Sequence, residues 1–92
     1  NSFYTHAAYD VVKIVLKVMP KGDEFDVEVP LFTTAREFID EIINANYALR
    51  TNENGQAIYY RLVKNDLLTE IPADQSLHAY RIAANDTLYM LP

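Results

Sequence analysis

A change of hydrophobic period near residue 30 constrains this chain more than any other feature. From Val11 to Met19, Val12, Ile14, Leu16 and Val18 alternate with Lys13, Val15 and Lys17. A period of two describes a strand with one buried face. Pro20-Lys21-Gly22-Asp23 supplies turn residues. Phe25, Val27 and Val29 then alternate with Asp26 and Glu28, so two strands flank a short turn as a hairpin. Pro30 breaks the second strand, and Thr34-Ala35-Arg36-Glu37 follows as a capping box. In that motif a Thr oxygen takes the amide three residues on, and the Glu reaches back. Beyond it the period becomes 3.6. Ala35, Phe38, Ile39, Ile42 and Ile43 make one apolar stripe, with Arg36, Glu37, Asp40 and Glu41 opposite. The pattern predicts a helix from Ala35 to Ala45 or Asn46, with Asn44 and Asn46 as its C-terminal residues.

The rest of the chain reads as shorter pieces. Arg50 to Gln56 is a polar loop, and Ala57 to Val63 a third strand. Lys64-Asn65-Asp66 turns into a short strand at Leu67 to Thr69. Pro72 to Ser76 is a connector, and Leu77 to Ile82 holds one helical turn. Asn85-Asp86 turns the chain into a last strand, Thr87 to Leu91. A hairpin, one helix across it and further strands predict an α+β domain with the helix on one face of the sheet. Residues 1–10 show no clean period and read as an N-terminal extension, leaving residues 11–92 as the domain.

Composition narrows the function classes. The 92 residues suffice for one domain, and a hydrophobic half is enough to close its core. Acids outnumber Lys and Arg 13 to 8 for a net charge of −5, the wrong sign for a phosphate-binding surface. Nucleic acid is therefore not an expected partner. Without cysteine there is no disulfide framework, thiolate metal site or cysteine nucleophile. That absence suits a reducing, cytoplasmic setting. The apolar runs are too short for membrane insertion, and no signal peptide is read. The missing start methionine suggests a processed chain or one cut from a longer protein.

Particular residues then bring in a family. In LHAYRIAANDTLYML, residues Leu77, Tyr80, Ile82, Thr87, Leu88 and Met90 match without a gap the spacing of ubiquitin's Leu, Tyr, Ile, Thr, Leu and Leu. Val29, four residues and then Thr34 as the cap also match. From about Val11 to Leu91 the chain resembles a ubiquitin-like β-grasp domain, which implies a mixed sheet of four to five strands holding one helix. Phe25 to Pro30, Arg36 to Ile43, Leu62 to Leu68 and Ile82 to Leu91 look most like the YukD/EsaB group. Those small bacterial proteins are encoded with type VII secretion systems. The chain departs from that group in its N-terminal extension and its longer loop in the 50s.

Ubiquitin and the sulfur carriers of this fold act through a tail ending in Gly-Gly, whereas this sequence ends Met90-Leu91-Pro92. Covalent modification or sulfur transfer is an alternative only if a Gly-Gly tail has been removed. An accessory domain or subunit of a larger enzyme is another. No catalytic residue, cofactor or metal is expected. His6 lies in the extension, His78 in the turn before Tyr80, and no His/Asp/Glu spacing converges on a metal. Asp23, Glu24, Asp26 and Glu28 read as the wet face of a strand. By the resemblance, Tyr80 is a buried tyrosine whose hydroxyl ties down a loop.

Surfaces remain as the instrument of function. Burying Leu88 and Met90 turns Tyr89 and Leu91 outward. For residues 57–63 two registers are open. Hydrophobicity buries Ile58, Tyr60 and Leu62. The match to ubiquitin instead turns Leu62 outward with Tyr60 beside it, and sends Arg61 inward at a desolvation cost. The second register is preferred, and in it Tyr60, Leu62, Tyr89 and Leu91 form one apolar patch. The alternative is scattered exposed apolar groups, common on soluble proteins. The expectation is a non-enzymatic adaptor or regulatory domain docking protein partners through its exposed sheet face. A homo-oligomer paired through that patch is the architectural rival.

Overall fold

A computed structural model of the chain describes residues 7–66 and 68–92. Its elements are β1 (Val11–Val18), β2 (Asp23–Pro30), α1 (Ala35–Asn44), β3 (Arg61–Val63), β4 (Glu70–Ile71), a 3₁₀ turn (His78–Tyr80) and β5 (Thr87–Leu91). The sheet order is β2-β1-β5-β3-β4. β1 runs parallel to β5, and the other pairs are antiparallel. The expected α+β fold class is what the chain adopts, with five strands.

The hairpin follows from its alternation. Val12↔Val29, Ile14↔Val27 and Leu16↔Phe25 pair on the inner face, while Lys13↔Glu28 and Lys17↔Glu24 pair opposite charges on the outer one. Gly22 closes the turn in the left-handed region (φ 85°), with its N–H donating to the Val18 carbonyl at 2.8 Å. Before β1, Asp10 accepts the Ala7 N–H through Oδ2 at 2.8 Å, and its carbonyl takes the Leu31 N–H, also at 2.8 Å. His6 lies outside the described residues.

The predicted helix is present with both ends secured. Thr34 Oγ1 accepts the Glu37 N–H at 3.2 Å, and Glu37 Oε1 accepts the Thr34 N–H at 2.9 Å. Ala35, Phe38 and Ile42 are buried, with Ile39 packed beside them. At the other end Asn46 takes a left-handed conformation (φ 67°). Its N–H donates to the Ile43 carbonyl, and the Tyr47 N–H to that of Ile42. This paired arrangement satisfies carbonyls the helix leaves open. It also turns Tyr47 back onto Phe25, with ring centroids 4.6 Å apart.

Two predicted strands differ. Only Arg61–Val63 of the segment 57–63 is a strand, pairing from Arg61↔Leu91 to Val63↔Tyr89. Residues 57 and 58 turn instead to the 50s loop, through the Thr51↔Ala57 bridge and the Ile58 N–H to the Arg50 carbonyl at 2.9 Å. The strand expected at 67–69 forms at Glu70–Ile71. Asp66 accepts the N–H groups of Leu68 and Thr69, both at 2.9 Å, which holds that stretch in a turn; Leu67 lies outside the described residues.

Candidate interaction surface

The faces of β3 decide what the sheet presents. Leu62 is 1% exposed and pairs with Met90 on β5 and Ile71 on β4, both buried. It therefore belongs to the core, and the outward placement preferred from the ubiquitin match is wrong by one residue. A slip of one residue along a strand reverses every side chain. Tyr60 likewise packs against the core, and its hydroxyl donates to the Leu49 carbonyl at 2.9 Å. Burial pushes that hydroxyl's pKa up. Arg61 stays exposed, with Nη1 3.4 Å from Glu70 Oε1, so no charge is turned inward.

Tyr80 is half-buried against the core, and its carbonyl accepts Lys64 Nζ at 2.9 Å. The loop-fastening tyrosine is thus Tyr60. A single-residue signal for this was weak, since Tyr59 and Tyr60 adjoin and only one of them, Tyr60, turns inward; Tyr59 is 84% exposed.

Tyr89 and Leu91 lie on the sheet face opposite the helix, both half-buried, while Leu88 and Met90 are fully enclosed. The registers align Lys17, Tyr89, Val63 and Glu70 in one row across β1, β5, β3 and β4. Leu91 and Arg61 form the neighbouring row. Val63 is 3% exposed at the centre of this outer face, outside the main core. Lys17 Nζ sits 5.8 Å from the Tyr89 ring centroid and 3.7 Å from Glu24. The outer face is therefore an apolar strip with an ion pair at either edge. Of the four patch residues expected from the sequence, the fold brings together Tyr89 and Leu91 here, and places Tyr60 and Leu62 on the other side. Val63 was missed because Leu62 and Val63 are adjacent apolar residues that hydropathy alone does not order.

No metal-binding group of three or more His, Asp or Glu side chains occurs among the described residues. His78 and the β2 acids Asp23, Glu24, Asp26 and Glu28 are exposed. Perturbed titration often marks a functional site, but the shifts seen here have local structural causes. Glu37 is lowered by the Thr34 backbone N–H and then its hydroxyl, at the helix cap. Asp66 is lowered by the Leu68 and Thr69 N–H groups and the Thr69 hydroxyl. No helix among the described residues is long and apolar enough to cross a membrane.

A five-stranded mixed sheet wrapped on one helix, offering surfaces without a cluster of reactive groups among the described residues, defines a small β-grasp domain. The fold is ubiquitin-like. A designed protein based on ubiquitin superposes with a TM-score of 0.66 at 17% identity, over 88% of this chain and 87% of that one. The ubiquitin-like domain of an Arabidopsis thaliana protein superposes with a TM-score of 0.65 at 20% identity, over 96% of this chain and 83% of the other. No family model and no curated protein sequence matches the chain.

Proposed function

We propose that this chain is a non-catalytic adaptor or regulatory domain that docks a protein partner on its outer sheet face. The observation that carries the reading is the pair Tyr89 and Leu91, half-buried on the outer face beside the enclosed Val63 and flanked by the Lys17–Glu24 and Arg61–Glu70 pairs. An apolar centre with a charged rim is the anatomy of protein interfaces, and a tyrosine is a favoured anchor. Leu62 and Tyr60 are not part of it. The resemblance of Phe25 to Pro30, Arg36 to Ile43 and Ile82 to Leu91 to the YukD/EsaB group supports a further placement. On that reading the domain is an accessory component of a bacterial type VII-like secretion system, and it works in the cytoplasm.

The test is Tyr89→Ser with Leu91→Asp, confined to the outer face. Co-purification with the cytoplasmic components of such a secretion system is expected to fall while circular dichroism stays native. Undiminished co-purification by the folded variant overturns the outer-face reading. A change in solution mass between wild type and variant would show that the strip pairs with itself.

A further inference from the structure

The other side of the molecule carries a different opening, independent of the outer face. β2 is an edge strand. Its hydrogen bonding can be phased from the Leu31 N–H, which donates to the Asp10 carbonyl across the pair next to Val11↔Pro30. Antiparallel pairs alternate between bonded and non-bonded. Val29, Val27 and Phe25 therefore bond to β1, and the backbone groups of Glu24, Asp26 and Glu28 point away from the sheet. Pro30, with no N–H, stands in the same outward phase, where its missing donor breaks no bond to β1.

Directly beside this edge a groove of about 370 Å³ runs between β2 and α1. Val29, Phe38 and Ile42 contribute to its floor, and Phe32 (61% exposed) and Tyr47 (43% exposed) stand on its rim. The charged residues lining it are Glu28, Glu37 and Glu41; no basic side chain lines it among the described residues. Asp26 and Glu41 have no ion-pair partner among the described residues, and Glu28 closes none although Lys13 stands across from it on β1.

We propose that this groove and edge take a short extended segment of a partner protein, apolar at every second position and Lys or Arg between. A strand added beside β2 sends alternate side chains to opposite faces. One set enters the groove against Phe38 and Ile42. The other lies beside the carboxylates of Asp26 and Glu28, which demand positive charge. The same acids argue against a second copy of this chain as the occupant. Pairing β2 with another β2 sets Glu24, Asp26 and Glu28 against their counterparts, and like charges across a strand pair are destabilising. Charge on an edge strand is also a known guard against indiscriminate pairing; here it excludes acidic and self-like strands while leaving a basic one favoured.

The experiment titrates the whole chain with a short synthetic peptide alternating valine and lysine, and follows backbone amide resonances. A valine–glutamate peptide and a block-ordered isomer of the valine–lysine peptide are the controls. Shifts are expected at Glu24, Asp26, Glu28 and along α1, weakening as salt is raised. Glu28→Lys with Glu41→Lys is expected to weaken binding at least about tenfold, the step that 1.4 kcal/mol makes. Asp26→Pro removes an outward N–H without touching the β1 ladder and is expected to abolish it, whereas Tyr89→Ser with Leu91→Asp leaves it unchanged. Equal binding of the glutamate peptide or the block isomer, shifts confined to Tyr89 and Leu91, or wild-type affinity in a folded Asp26→Pro variant overturns the proposal.

Discussion

Replacing Leu62 with alanine reads out the register that governs the whole surface. Leu62 is 1% exposed between Met90 and Ile71, so its truncation leaves a void that its strand partners hold open. Buried Leu→Ala changes destabilise by about 2–5 kcal/mol, the transfer of the lost atoms plus the cavity. A site enclosed on both sides within a sheet collapses poorly, which sets the expectation near 3 kcal/mol. Domains have about 0.05–0.15 kcal/mol of stability per residue, so this loss is a large share of the total. At about 4–8 °C per kcal/mol for a domain this size, melting falls by about 12–24 °C. Leu91→Ala is the internal control. Leu91 is half-buried on the outer face with no enclosing shell. Half of a full leucine burial is worth about 1 kcal/mol, with no cavity to add. The assay is urea unfolding followed by far-ultraviolet circular dichroism, with equal slopes required of wild type and variants. Leu91→Ala as damaging as Leu62→Ala, or Leu62→Ala below about 1 kcal/mol, refutes the assignment of faces.

Two further outcomes follow from the local geometry. Tyr60→Phe deletes the 2.9 Å bond to the Leu49 carbonyl while keeping the ring, so urea unfolding should register a loss of about 1 kcal/mol and amide exchange in the neighbouring loop should quicken. Asp66 and Glu37 titrate below the ordinary carboxylate range when folded. Their stabilisation is therefore present above the unfolded-state values and lost as pH falls through the lower folded values; Asp66→Asn with Glu37→Gln should flatten the acid limb of the stability profile, and an unaltered limb would show that neither carboxylate supports the fold.

The features legible in the sequence are those set by neighbours a few residues apart. Alternation from Val12 to Val18 gives a one-faced strand in any context that buries it. Thr34 and Glu37 cap the helix through bonds three residues long, and Asn46 tolerates the left-handed conformation that ends it. Leu88 and Met90 are legible as the core side of β5 through the match to ubiquitin's spacing, since Tyr89 and Leu91 are apolar in the other phase. The stretch Tyr59-Tyr60-Arg61-Leu62-Val63 carries two conflicting instructions: hydropathy buries Tyr60 and Leu62, as the fold does, whereas the match to ubiquitin turns them outward. Its faces come from pairing with Met90 and Ile71, residues far along the chain, and a one-residue ambiguity in that pairing moved Leu62 from surface to core. The edge position of β2 is likewise read only from the sheet order, in which β5 pairs with β1 and leaves β2 a single neighbour. Short-range bonding writes itself into local pattern, whereas the identity of the strand alongside depends on which distant apolar face completes the core.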